Sequence, residues 1–311
     1  MSRLPTFING SFLGLLFLVA VVIVEPTVVS SAEVAVIKSQ DMLPYDRAIE
    51  GFRSLTQARV TEYNMKGDIG EGFKIVEQIK RLKPAAILAV GSKAAVLAKE
   101  NLSEIPIVYS VVIDPEKYGL QSGNVIGIAL EIPVNSQLKK FKEVVPNLKR
   151  IGVVYDPNKT SRLIRAAQEE ARHLGLELVA VEVSTAKDLP GTIRTLLPQV
   201  QGLWMVPDST VITMDSFQFI LLATLERNIP FMVFSDNFVK AGALMALSPD
   251  YFAIGKQSSL LVDKVIKNGI SDRGKVISPE KERLIINLKT AKILGLEIPG
   301  EILRTADEVI Q

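Results

Sequence analysis

The chain has no cysteine, one histidine and one tryptophan, and aromatic residues make up 6% of its 311 positions. Without a thiol there is no thiolate nucleophile, disulfide, iron–sulfur cluster or cysteine zinc site, and a single His cannot build a histidine metal cluster. Most hydrolytic and redox chemistry is thereby excluded. An excess of charge of one sign is also lacking: 36 Lys and Arg stand against 34 Asp and Glu, a formal net charge of +2. So small a net charge gives no global field to hold a nucleic acid or an anionic membrane surface, and neither is expected as a partner. What remains is globular material, 48% hydrophobic and 23% charged with 20 Gly and 16 Pro. At about 150 residues per domain, two units are expected.

Residues 1–32 differ from the rest. Arg3 precedes an apolar run from Phe12 to Val24, followed by Glu25, Pro26 and the small residues Ser30, Ser31 and Ala32. The run reaches only about 20 Å as a helix, short of a hydrocarbon core of about 30 Å, and small residues suit a signal peptidase before Glu33. A cleaved signal peptide is expected, with an uncleaved anchor as the other reading. Either way the folded part is periplasmic or extracellular, and with no Cys to carry a lipid the cleaved chain is expected to be diffusible.

Beyond the leader, short apolar runs alternate with amphipathic stretches, and most runs end in a polar cluster. EVAVIK precedes Ser39-Gln40-Asp41, PAAILAV precedes Gly91-Ser92, and IPIVY precedes Ser110. RIGVVY precedes Asp156-Pro157, GLWMV precedes Pro207-Asp208-Ser209, and IPFMVF precedes Ser235-Asp236-Asn237. Runs so uniformly apolar predict strands buried on both faces of parallel sheets, and the class is α/β, doubly wound. Helices are predicted over 45–55, 70–82 and 161–174, the last two with one apolar stripe among charges.

The segment KPAAILAVGSKAA with EIPIVYSVVIDP resembles VQGLWMVPDSTVI with NIPFMVFSDNFV, Pro106 and Pro230 standing in equivalent places. Two copies of one βαβαβ unit are implied. Ligands gather outside the carboxyl ends of parallel strands, where helix amino termini offer free N–H groups, so two such edges turned toward each other would enclose a small molecule.

The stretches LPYDRAIEGF (43–52), VGSKAA (90–95), IDPEKYGL (113–120), VVYDPN (153–158), AGALMALSPDYFAIGKQ (241–257) and INLKTAKILGLEIP (286–299) together resemble the ABC-transporter substrate-binding proteins, whose better-known relatives bind aromatic amino acids. The resemblance implies the type I periplasmic-binding-protein fold, two Rossmann-like lobes joined by a three-crossover hinge near 131–134, 246–249 and 277–281. Lobe 1 would then comprise 33–131 and 249–278, and lobe 2 would comprise 132–248 and 279–311. It also implies an amino acid or related compound as the solute. Ile126 stands before Gly127 where relatives often carry Thr, which removes one hydroxyl from the ligand set.

Candidate ligand groups lie at the strand ends. Gly91 and Ser92 open a helix, where Ser92 either contacts an anionic oxygen or simply caps it. Thr160 or Ser161 could do the same in the second half. Asp208 and Asp236, and less so Asp114, are candidate acceptors for an ammonium group. Gln40, Ser110 and Ser235 add polar groups at the same edges, and Tyr45 and Tyr155 add aromatic faces that could equally be core. His173 is read as a helix-end cation, Trp204 as core packing, and the Gly67/Gly70/Gly72 spacing does not fit a dinucleotide loop. No cofactor and no metal is expected. The function expected is that of a monomeric, non-enzymatic binding protein delivering a small solute to a membrane permease with its ATPase subunit. The alternative is a sensing module feeding a membrane receptor or kinase.

Overall fold

The computed structural model describes residues 32–311, and the leader read in residues 1–32 lies outside the described residues except for Ala32. The described chain opens with β1 (Glu33–Lys38), α1 (Leu43–Arg53), β2 (Arg59–Asn64), α2 (Ile69–Leu82), β3 (Ala86–Val90), α3 (Ser92–Asn101), β4 (Ile107–Val112) and β5 (Val125–Ala129). It crosses to a second set: α4 (Val134–Val144), β6 (Arg150–Tyr155), α5 (Pro157–His173), β7 (Glu177–Glu182), α6 (Leu189–Leu196), β8 (Gly202–Trp204), α7 (Met214–Glu226), β9 (Phe231–Val233), α8 (Asp236–Lys240) and β10 (Met245–Pro249). It returns for α9 (Tyr251–Asn268) and β11 (Val276–Ile277), then ends with β12 (Glu282–Asn287), α10 (Leu288–Ile293), α11 (Gly300–Thr305) and β13 (Glu308–Ile310).

Two sheets result. One has the order β11-β5-β4-β3-β1-β2 and the other β13-β12-β10-β9-β8-β6-β7. The run β2-β1-β3-β4-β5 repeats as β7-β6-β8-β9-β10, so the internal similarity is one topology used twice. Central strands such as AILAV and IVYSVV are buried along their whole length, whereas the edge strands RVTEYN and ELVAVE carry the charged, partly exposed positions. Each sheet is covered on both faces. α2 and α3 pack against one face of the first sheet and α1 and α9 against the other, while the second sheet lies between one layer that includes α4 and α5 and another formed chiefly by α6, α7 and α8.

One pairing departs from the expected all-parallel arrangement. β12 runs antiparallel to β10, with Met245 opposite Ile286 and Pro249 opposite Glu282. The cause is its entry point: the chain comes back from β11 at the carboxyl edge of the second sheet, and a strand starting there must run the other way. Residues 246–249, expected in a crossover, belong to β10, and the chain leaves the second sheet after Pro249.

All three crossings therefore join the carboxyl edges of the two sheets. At the hinge, Lys281 Nζ lies 3.0 Å from the Asp250 carboxylate. Gln257 Nε2 donates to the Ser278 carbonyl at 3.1 Å, and its Oε1 accepts from the Glu280 N–H at 3.2 Å. The helix α9 is fastened to the first lobe by direct backbone contact. A Cβ on Gly255 would stand 1.9 Å from the Ala48 carbonyl oxygen, and one on Gly51 would stand 2.0 Å from that of Phe252.

Candidate functional site

The carboxyl edges of the two sheets are the edges that the three crossings join. Glu116, in the loop after β4, forms an ion pair with Arg162 near the start of α5, so side chains that follow strand tips of different lobes meet. In each sheet the strand order reverses between the first and third strands of the repeat, the point at which an open α/β sheet forms its crevice. The two crevices differ.

In the first lobe the crevice lies between the tips of β1 and β3. Ser39 bridges it, its hydroxyl donating to the Val90 carbonyl at 3.0 Å and accepting from the Ala94 N–H at 2.9 Å. Ser39 thus caps α3 from a neighbouring strand, 55 residues away in sequence. The helix's own Ncap residue is Gly91 rather than Ser92, and its φ of +89° is left-handed backbone that favours glycine. Space also demands glycine there, because a Cβ would lie 2.7 Å from the Ser39 hydroxyl and from the Tyr45 phenol. Since Ala94 and Ala95 donate to Ser39 and Gly91, the N–H groups of Ser92 and Lys93 remain without partners among the described residues. The Ser92 hydroxyl, half-buried, is equally free. Here α3 offers two N–H groups and a hydroxyl of the kind that hold an anion.

The corresponding place in the second lobe is closed. Asp156 is the N-cap of α5, whose first helical residue is Pro157, so the helix starts four residues before the expected Ser161 and Thr160 and Ser161 lie inside it. Asp208, 1% exposed, accepts from the Asp156 N–H at 2.8 Å, the Thr160 hydroxyl at 2.7 Å and the Thr210 N–H at 2.9 Å. In return Thr210 donates its hydroxyl to Asp156 at 2.6 Å. That bond, with the Asn158 N–H, holds the Asp156 carboxyl below the usual carboxylate range. The network ties the β6 tip to the loop after β8 and leaves Asp208 little capacity for a ligand ammonium.

The other expected residues divide in the same way. Gln40 and Tyr45 stand beside Gly67 and Gly91 at the first-lobe crevice. Burial pushes the Tyr45 phenol up, and the Tyr118 hydroxyl adds to the effect. Ser110, 1% exposed, lies under the β4 tip, its hydroxyl without a partner. Asp114 is exposed on the following loop. In the second lobe, Tyr155 packs in the core and donates its hydroxyl to Glu182 at 2.9 Å. Asp236 is paired with Arg283 at 2.8 Å and accepts from Ser248 at 2.6 Å. Ser235 is half-buried at the start of α8, its hydroxyl making no capping bond.

Several residues of this edge were not singled out from sequence: Ser39, Glu131, Tyr118, Thr210, Tyr251 and Arg283. Tyr251 begins α9 at the hinge, where burial, then the Asp236 charge and the Tyr45 hydroxyl, raise its phenol. Only Ser39 carried a sequence signal, its place in a strand-end polar cluster. A concavity of about 620 Å³ lies elsewhere, at the amino ends of β6 and β7 among Lys142, Lys149, Arg150 and Arg172. Lys142 and Arg172 belong to the last turns of α4 and α5, where cations answer the carbonyl ends of the helices. Among the described residues, no group of three or more potential metal ligands occurs and no helix is long and apolar enough to cross a membrane.

Residues 48–310 match the family model described as ABC transporter substrate binding protein. A tyrosine-binding protein of Clostridioides difficile is 23% identical over 256 residues, which cover 80% of this chain and 74% of that protein. The ligand-free, open structure of a Clostridium difficile substrate-binding protein with adhesive properties superposes with a TM-score of 0.76 at 22% identity, over 90% of this chain and 99% of the other. A Streptococcus pneumonia ABC domain in complex with L-Trp gives 0.61 at 21% identity, over 90% and 100%.

Proposed function

Because the chain belongs to the ABC transporter substrate-binding protein family, whose members are binding proteins and not enzymes, we propose that it is the extracytoplasmic solute-binding component of an ABC importer. It closes two lobes around a small polar solute and delivers it to a membrane permease driven by a separate ATPase. The solute class is an amino acid, in line with a relative named as tyrosine-binding and a structural neighbour in complex with L-Trp.

The observation that carries this reading is the pair of N–H groups at the amino terminus of α3, beside Tyr45, that no protein acceptor meets among the described residues. The N–H groups of Ser92 and Lys93 with the Ser92 hydroxyl suit a carboxylate, which a helix amino terminus favours electrostatically. Contacts from the opposite edge then make the closed form the better-bound one, and only that difference in affinity moves the hinge.

A thermal-shift screen of the purified protein against amino acids, nucleosides and sugars tests it. A ligand at about 100 times its Kd adds about 2.7 kcal/mol of stability. Stabilisation by amino acids supports the reading; stabilisation by sugars or nucleosides alone replaces it.

A further inference from the structure

An amino acid brings a cation as well as a carboxylate, and the two carboxylates expected to meet it at the second-lobe edge are already engaged. Asp208 is saturated by protein donors, and Asp236 is neutralised by Arg283. On the first lobe, Asp46 and Asp41 lie 2.7 and 3.0 Å from Lys38 Nζ, and Glu116 is paired with Arg162. Two acids at that edge stand differently. Glu131 follows β5 where the chain leaves the first sheet, and Asp114 follows β4. The Asp114 backbone N–H donates to Glu131 Oε1 at 2.5 Å, which fixes the Glu131 side chain beside Asp114, and neither carboxylate has a cation within ion-pair distance among the described residues.

A second anomaly lies on β4, the strand that leads to Asp114. The Tyr109 hydroxyl on β4 is fully buried and has no hydrogen-bond partner, and its ring lies so close over Gly127 that a Cβ there would stand 2.4 Å from Cγ. Burial, and then the charge of Glu131, push this phenol up to about 12. Glu131 is exposed at this edge, and desolvation, opposed by the Asp114 N–H bond and aided by the like charge of Asp114, raises its carboxyl above the ordinary range. Such a place lacks a positive group.

The spacing supplies a third argument. β3, β4 and β5 are neighbours in that order, so the tip of β3, which leads to the free N–H groups, and the tip of β5, which leads to Glu131, are two strand spacings apart, or about 9.6 Å. In an amino acid the ammonium nitrogen and carboxylate oxygens are roughly 3 Å apart, and one hydrogen bond of about 2.9 Å at each end gives a span of about 9 Å.

We propose that Glu131, supported by Asp114, receives the α-ammonium group of the solute while the amino terminus of α3 holds its carboxylate, so that the first lobe alone reads the zwitterion. This rests on the amino-acid reading above, and it leaves the second lobe to contact the side chain.

The test is calorimetric titration of the purified protein and of Glu131→Gln and Asp114→Asn with L-tyrosine, L-tryptophan and L-leucine, and with the matching acids that lack the amino group. The wild type should prefer an amino acid over its deaminated acid. Glu131→Gln should weaken the amino acid about 10- to 100-fold, the range for a lost hydrogen bond to a charged group, and Asp114→Asn should weaken it less. The deaminated acid should bind all three proteins alike. An amino acid that binds Glu131→Gln as tightly as wild type, or an equal loss for both ligands, overturns the assignment and leaves the amino-acid reading in place. If the wild type binds none of the amino acids, that reading fails and the assignment falls with it.

Discussion

Replacing Asp208 by alanine should damage the fold before it touches any ligand. The substitution strands two backbone N–H groups, of Asp156 and Thr210, and frees the Thr160 hydroxyl, at a position where Asp208 itself is 1% exposed. A buried donor left unsatisfied costs roughly 1–3 kcal/mol, so two of them with the lost hydroxyl bond come to about 4 kcal/mol. With a urea dependence of about 2 kcal/mol/M, the midpoint should fall by about 2 M. Trp204, the single tryptophan, is 1% exposed in the second-lobe core, so its fluorescence follows this half of the molecule. Asp208→Asn, which keeps the Oδ1 acceptor, should lose about half as much. Had Asp208 been a ligand group, as the strand-end pattern alone suggests, affinity would fall and the midpoint would stay. A midpoint unmoved in Asp208→Ala, together with an affinity loss of tenfold or more, refutes the reasoning.

Ser92→Ala should do the reverse, leaving the unfolding free energy within about 0.5 kcal/mol of wild type, because its hydroxyl has no partner among the described residues, while weakening an anionic solute in titration. Gly255→Ala should destabilise by several kcal/mol, since the new methyl would meet the Ala48 carbonyl at 1.9 Å and push α9 off α1; circular dichroism melts would show it, and an unchanged melt would remove the close-packing argument. For pH, the Asp156 carboxyl lies below its unfolded value of about 3.9, so its stabilising effect is complete above about pH 4 and is lost as pH falls through the lower folded value. Asp156→Asn should therefore lose less stability than wild type between pH 5 and pH 3, and equal losses would count against it.

How far the sequence carries depends on whether the partners are local. Strands such as AILAV and IVYSVV could be read because burial on both faces leaves no polar position in them, and the twofold topology could be read because its punctuation recurs in order. Pro157 misled because proline both breaks helices and starts them; the Asp before it was the deciding residue. The saturation of Asp208 and the capping of α3 by Ser39 depend on contacts 48 to 55 residues apart, which no local pattern encodes. For the same reason the acids at the strand ends looked alike in sequence. What separates Asp208 from Glu131 is the number of donors that the fold aims at each.

The excursion between β10 and β12 bears on how the polypeptide acquires its shape. Residues 251–277 leave one sheet, cover and extend the other, and come back, so neither half is a continuous stretch of chain. As the protein is synthesised, the face formed by Val36, Leu88, Val108 and Ile128 stays without Ile254, Val262 and Val265 until more than four-fifths of the chain has emerged. A nascent first lobe thus waits with sticky surface showing, a state that invites aggregation or a holding chaperone. Truncation anywhere upstream of Ile277 should yield insoluble material rather than a smaller folded unit.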